Sequence, residues 1–158
     1  MAILPIVTGI DNKILRTQSK TVGKIDKKIK KLIKDMIDTV IDVDGLGIAA
    51  PQVGVNLRIY IARLNHNTKN EVWVPMINAE FLTLGKEADI HEEGCLSIPK
   101  KFGDVKRARE LTIRYMDEKG KMHTLFLQDL NARIMQHEMD HLNATLIADH
   151  WKKEPRDV

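Results

Sequence analysis

Two histidines and a glutamate in the last quarter of the chain have the spacing of a metal site on a helix. His137 and His141 are four residues apart, so both imidazoles leave one helical face and can reach the same cation. Glu138 stands beside them, within reach of a water molecule at that cation. From average residue usage, such a match is expected in roughly one chain in a hundred of this size. The motif therefore indicates a metal-dependent hydrolase.

The sequence after the motif excludes two common sources of a third ligand. Metzincin-type sites continue as His-x-x-Gly-x-x-His, but residues 142–147 contain no histidine. Proteases of the thermolysin kind use a glutamate from a later helix, and only Asp149, Glu154 and Asp157 remain in a tail too short for one. The third ligand must therefore lie upstream.

The single cysteine, Cys95, is the best upstream candidate. A thiolate is a strong ligand for borderline metals, and a Cys-His-His set leaves one coordination position open for water or substrate. The alternative is a buried free cysteine that acts as a small apolar residue. One cysteine cannot form an internal disulfide, and a thiolate ligand needs a reducing compartment.

A glycine-containing segment, Gly-Leu-Gly-Ile-Ala-Ala-Pro-Gln at residues 45–52, is the third candidate element. Two glycines around a leucine allow backbone to approach a ligand closely, and the amide of Gln52 can donate to a developing oxyanion. The segment could also simply end the preceding helix. Ala50 occupies the place of the third glycine of a dinucleotide-binding motif, which excludes that class.

Taken in order, the three segments resemble the signature motifs of the peptide deformylase family, and the resemblance extends from about Asn12 to Asp149. It implies a hydrolase that removes the formyl group from N-formylmethionyl peptides and releases formate. By resemblance, the metal ligands are Cys95, His137 and His141, the general base and acid is Glu138, the oxyanion donors are Gln52 and the N–H of Leu96, and the substrate-binding residues are Gly45, Leu46, Gly47, Glu93, Arg107, Leu130 and Ile134.

The resemblance also implies the cofactor and the setting. One divalent transition metal is expected per chain, iron(II) in the cell, with zinc, nickel or cobalt as replacements. The substrates would be nascent chains emerging from the ribosome. The first eight residues are too short an apolar run for a signal peptide, so we expect a cytoplasmic protein with no membrane partner. Isoleucine and leucine interrupt the basic run 24–34, which indicates a solvated helix face and no specific nucleic-acid site.

Four departures from the family pattern are visible. Ala144 stands where glycine is usual after His-Leu-x, and Asn78-Ala79-Glu80 replaces Asn-Pro-Glu. Residues 128–133 lack the glycine that commonly precedes the metal-binding helix, which predicts a different start for that helix. Only eight residues follow His150, whereas many members carry a long C-terminal helix.

Hydrophobic periodicity predicts an α+β fold in one domain spanning residues 1–158. Apolar residues at helical spacing predict an N-terminal helix over 25–41, and a second helix over 130–142 carries the metal motif. Strands are predicted at 57–64, at 72–77 with Pro75 at an edge or bulge, and in a hairpin at 111–116 and 122–127. The resemblance implies antiparallel sheets packed around a central metal-binding helix.

Two other functions stay open from the sequence. A His-Glu-x-x-His metallopeptidase would cleave internal peptide bonds, but the missing downstream ligand disfavours it. A non-catalytic domain with a structural metal would need a closed set of four ligands, and no convincing fourth ligand lies near Cys95.

Overall fold

The computed structural model describes residues 2–152 and 155–157. Within them are two α-helices, α1 (Lys27–Asp42) and α2 (Asp129–Leu142), and short 3₁₀ helices at Ala50–Val53 and Ile147–His150. The strands are β1 (Gly47–Ala49), β2 (Ile59–Leu64), β3 (Val72–Leu84), β4 (Ala88–Cys95), β5 (Ile98–Ala108), β6 (Glu110–Met116), β7 (Met122–Gln128) and β8 (Arg156–Asp157). No helix among these residues is long and apolar enough to cross a membrane.

Helix α1 begins where Asp26 accepts a hydrogen bond from the N–H of Ile29, at 3.0 Å. This side-chain cap explains why the helix starts two residues after the predicted position. Ile33, Met36 and Val40 are fully buried and pack against the β1–β2 region. These buried side chains therefore hold α1 against the strands next to the glycine-containing segment 45–52.

A five-stranded antiparallel sheet has the order β1-β2-β3-β6-β7. Pro75 pairs with Ile61 of β2, and pairing of β3 with β6 begins only at Ile77. At Pro75, β3 therefore has a hydrogen-bonded neighbour on one side only. Proline is tolerated there because it has no N–H to donate to a second strand. The strand predicted at 72–77 in fact extends to Leu84. The prediction ended too early because bulges follow Ile77 and Asn78 has φ 52°, which interrupts the alternation of buried and exposed side chains.

A second sheet, with order β4-β5-β8, was not predicted from the sequence. In its strands only Glu93, Ile98, Val105 and Arg107 are buried, and the other residues are partly or fully exposed. A strand that buries so little apolar surface leaves a weak periodic signal. The short strand β8 pairs with Lys101 and Phe102 of β5.

Helix α2 lies between the two sheets and contacts β1, β2, β6 and β7 on one side and β5 on the other. Its buried residues, which include Met135 and Leu142, join the main core of the five-stranded sheet with Tyr60 and Ile113. The predicted α+β fold, with antiparallel sheets around the metal-motif helix, is confirmed. The helix starts one residue earlier than predicted, at Asp129, which itself has φ 54°.

Candidate metal and catalytic site

Three side chains that are distant in the sequence meet between β4 and α2. Cys95 ends β4, and His137 and His141 lie one turn apart on α2. One ligand atom from each lies within 4.8 Å of the other two, and Cys95 Sγ is 3.3 Å from His141 Nε2. No other group of this kind occurs among the described residues. One thiolate and two imidazoles suit a borderline divalent metal and leave a coordination position open.

The surroundings of Cys95 favour the ionised form that binds metals. Burial raises the pKa of the thiol, but the adjacent His141 and His137 outweigh it and hold the pKa well below its usual value. A thiolate is the ligand form of cysteine, so the environment of Cys95 favours its binding to a cation.

Glu93 orients His137. Its Oε1 lies 2.9 Å from His137 Nδ1, which leaves Nε2 of that ring for a metal. Arg107 donates two hydrogen bonds to the Glu93 carboxylate, at 3.1 and 3.0 Å, and Arg133 donates another. Burial raises the pKa of Glu93, but His137 and Arg107 lower it by more than burial raises it. The pKa of Glu93 is therefore well below its usual value. Glu93 is therefore a charged anchor for a metal ligand.

Arg107 lies behind the site. It is 4% exposed, it does not line the cavity, and its third hydrogen bond goes to Asp140 Oδ2 at 2.6 Å. The resemblance implied a substrate-binding role for Arg107, and this position does not support it, because the guanidinium is already paired with Glu93 and Asp140. His150 Nε2 also lies 2.8 Å from Asp140 Oδ2, so both residues fix the metal-binding face of α2.

Glu138 is the only carboxylate that faces the ligands without a partner among the described residues. The residue is 2% exposed, and its Oε2 has no hydrogen-bond partner. Burial raises the pKa of Glu138. A Cβ on Gly47 would lie 3.1 Å from Glu138 Cγ and Cδ, so the absent side chain at Gly47 gives Glu138 its place. This environment suits a group that accepts a proton and returns it.

Gln52 presents its amide donor to the site. Its Oε1 accepts a hydrogen bond from the N–H of Ala49 at 2.9 Å, which fixes the orientation of the amide. Its Nε2 lies 3.2 Å from Ser97 Oγ and 3.7 Å from Cys95 Sγ. Leu96 directly follows Cys95 and lines the same cavity. Both predicted oxyanion donors are thus located beside the predicted ligands.

A cavity of about 550 Å³ opens onto these groups. Of the predicted substrate-binding residues, all except Arg107 line it: Gly45, Leu46, Gly47, Glu93, Leu130 and Ile134. Other residues that were not predicted from the sequence also line the cavity, namely Asp44, Glu92, Gly94, Pro99, Lys100, Phe102 and Arg133. Arg133 could have been predicted from the sequence to lie beside the ligands, because it stands one helical turn before His137.

The chain is similar to known proteins over almost its whole length. Residues 3–157 match the family model of polypeptide deformylase. The peptide deformylase of Bartonella quintana is 39% identical over 158 residues, which is 100% of this chain and 89% of that protein. The peptide deformylase structure from Thermotoga maritima aligns with a TM-score of 0.89 at 35% identity, over 97% of this chain and 100% of that one. A Met-Ala-Ser-bound class I type b peptide deformylase from Acinetobacter baumannii aligns with a TM-score of 0.86 at 33% identity, over 94% and 98%.

Proposed function

The chain belongs to the polypeptide deformylase family, and from this premise we propose how its residues remove the formyl group from N-formylmethionyl peptides. The observation that carries the assignment is the meeting of Cys95, His137 and His141 beside the buried carboxylate of Glu138, whose Oε2 has no hydrogen-bond partner among the described residues. Cys95, His137 and Glu138 line one cavity, and His141 is buried behind it. The reaction is hydrolysis of a terminal amide, with formate and a free amino terminus as products.

We propose that the three ligands hold one divalent ion, iron(II) in the cell, with zinc, nickel or cobalt as replacements. A thiolate with two imidazoles accepts all four metals, and the general affinity order places zinc above ferrous iron, so availability decides which metal is bound. When bound, the ion supplies Lewis acidity, which polarises the formyl carbonyl and makes water acidic enough to ionise near neutral pH.

Glu138 moves the proton in this proposal. Its carboxylate takes a proton from the attacking water and later delivers it to the leaving amine. The burial of Glu138, with no hydrogen-bond partner at Oε2 among the described residues, leaves this oxygen available for both proton transfers. As the tetrahedral centre forms, Gln52 Nε2 and the N–H of Leu96 donate to the developing oxyanion.

The peptide lies along β1 in this proposal. Among the described residues this strand pairs with β2 alone, and its second edge borders the cavity at Gly47, while the N–H of Ala49 is already bonded to Gln52 Oε1. We assign the bonding of an extended backbone to Gly45, Leu46 and Gly47, which line the cavity. The methionine side chain enters the apolar part of the cavity at Leu46, Leu130 and Ile134. Glu93 and Arg107 act on the substrate only through the ligand and the helix that they hold.

The cellular setting is also part of the proposal. We place the enzyme in the cytoplasm, where nascent chains emerge from the ribosome and where thiols stay reduced. We treat residues 1–158 as one catalytic domain, since ligands from β4 and α2 and donors beside β1 must assemble together. The lone cysteine as a ligand supports the reducing compartment.

The test is formate release from formyl-Met-Ala-Ser by the metal-loaded protein, with acetyl-Met-Ala-Ser and the unblocked peptide as controls. Only the formyl peptide should react, because a site that fits a formyl hydrogen has little room for a methyl group. Mass spectrometry should find the internal bonds intact, whereas a metallopeptidase would cut them. An acetyl peptide processed as fast as the formyl one would overturn the proposal, and metal binding without turnover would favour a structural metal.

A further inference from the structure

The outer surface of α1 carries four lysines that the proposed reaction does not use. Lys27, Lys30, Lys31 and Lys34 follow the spacing i, i+3, i+4 and i+7, so they share one side of the helix, here named the lysine face. All four residues are exposed. Of these four lysines, only Lys31 forms a side-chain ion pair in the described part of the chain, with Asp35 at 2.6 Å. The other three lysines of the face have no side-chain ion pair there, so the lysine face is a positive surface.

The order of charges along α1 opposes the helix dipole. The first turn contains no acidic residue and the last turn contains no basic one, while Asp38 and Asp42 occupy the C-terminal half. A helix dipole favours the reverse order, and like charges three or four residues apart repel one another. Apart from the N-cap Asp26, the order of charges is therefore unfavourable for the helix, and the lysines lie towards the positive end of its dipole.

We propose that the lysine face binds the phosphate backbone of RNA without sequence specificity. Point charges on a rigid helix suit a polyanion with regularly spaced phosphates, and phosphate binding relieves the repulsion that the free protein carries. A membrane surface fits less well, because Ile33, Met36 and Val40 are buried in the core and the apolar side of α1 cannot insert into lipid. The interaction goes beyond the proposed function and does not depend on it.

The geometry of α1 keeps such a contact away from the cavity. The helix has 16 residues, so its ends are about 24 Å apart. The lysines occupy the first half, whereas the segment after the helix, Asp44 to Gly47, lines the cavity. Asp42 and Asp44 repel phosphates from that end. RNA on the lysine face therefore leaves the cavity open to a peptide.

The experiment measures fluorescence anisotropy of a fluorescein-labelled, mixed-sequence, single-stranded RNA of about 20 nucleotides between about 50 and 200 mM salt. The triple variant Lys27→Gln, Lys30→Gln, Lys34→Gln is compared with the control Lys69→Gln, Lys119→Gln, Lys121→Gln. Each triple variant replaces three lysines, which lowers the formal net charge of the chain from +3 to 0.

The first variant should bind RNA at least about tenfold more weakly at the lowest salt, and its slope of log K against log salt should fall by about 2. The control should stay within about threefold of the parent, since its charges lie elsewhere. Both variants should release formate from formyl-Met-Ala-Ser at the parental rate. Their circular dichroism should match the parent, because the replaced side chains are exposed.

Three results would overturn the inference. Equal losses in the two triple variants would mean that net charge, and not the lysine face, governs binding. A parental Kd above about 100 μM at the lowest salt would mean that RNA is not a partner. Binding to phosphatidylserine vesicles but not to RNA would identify a membrane surface. RNA binding without formate release would overturn only the proposed function.

Discussion

Two glutamates in the site, Glu93 and Glu138, have the same functional group in opposite environments. Three donors surround Glu93, from His137, Arg107 and Arg133, and its pKa lies well below its usual value despite burial. Glu138 Oε2 has no partner, and burial raises its pKa. The first is fixed as an anion that orients a ligand, and the second is suited to exchanging protons.

Replacement of Glu138 by glutamine should separate metal binding from turnover. The amide matches the carboxylate in size but cannot shuttle a proton, so kcat should fall by about 10²- to 10⁴-fold. Metal content should stay at the parental level, since Glu138 is not among the three ligands. Metal analysis and a formate assay on the same preparation test this, with Cys95→Ala as the control that loses metal. Activity within about tenfold of the parent would exclude the proton-transfer role.

Replacement of Gln52 by leucine should lower kcat by roughly 10²- to 10³-fold with a smaller change in KM, as expected for a donor whose bond strengthens in the transition state. The variant also leaves the buried N–H of Ala49 without its acceptor, which costs about 1–3 kcal/mol of stability. A thermal melt shows whether the variant is folded at the assay temperature. A folded variant with parental kcat would exclude Gln52 as an oxyanion donor.

The sequence could identify the groups that do the chemistry but not the residues that hold them. Cys95, His137 and His141 stand in short motifs whose spacing predicts metal ligation, and the structure brings them together. The supporting contacts of Glu93 with Arg107 and Arg133 join residues 14 and 40 positions apart. Such pairs depend on the pairing of β4 with β5 and on the placement of α2, and local patterns contain neither.

At the scale of elements, α2 is bounded by two residues with left-handed backbone. Asp129 at its start has φ 54°, and Ala144 just after its end has φ 60°. These are the regions where the family pattern usually has glycine. An L-residue with a Cβ pays a steric cost in this conformation, and alanine has no polar side chain to offset it.

Replacement of Ala144 by glycine should stabilise the protein by about 0.5–1 kcal/mol. Relief of the left-handed strain is worth about 1–2 kcal/mol, and the greater freedom of glycine in the unfolded chain cancels part of it. Urea unfolding measures the change. Ala88→Gly is the matched control: Ala88 is exposed and has negative φ, so that change should destabilise by about 0.5–1 kcal/mol. A destabilised Ala144→Gly variant would show that the backbone at this turn is not strained.

At the scale of the whole molecule, acid stability depends on hydrogen-bonded carboxylates that are not part of the metal-ligand cluster. Glu71 accepts a hydrogen bond from the N–H of Asn67 and also meets His66 and Arg63. In that order, these contacts lower the pKa of Glu71 from 4.5 to about 2. Because the folded pKa lies below the unfolded value, the contribution of Glu71 to stability is complete above pH 4.5 and is lost as pH falls towards about 2.

Glu71→Gln should therefore have a lower Tm than the parent near pH 6, and the difference should shrink as pH falls through the window from about 4.5 to 2. Loss of metal in acid affects both proteins, so the difference between their Tm values is the quantity to follow. Glu118→Gln serves as control, since none of the side-chain hydrogen bonds among the described residues involves Glu118. A Tm difference that stays constant or widens in acid would contradict the assignment.

The edge of β1 beside the cavity has a consequence for substrate range in the proposed function. A strand edge bonds to the backbone amides of an extended peptide, and every polypeptide has these amides. Substrates that differ in the side chains after their first residue can therefore bind to the same short strand, Gly47–Ala49.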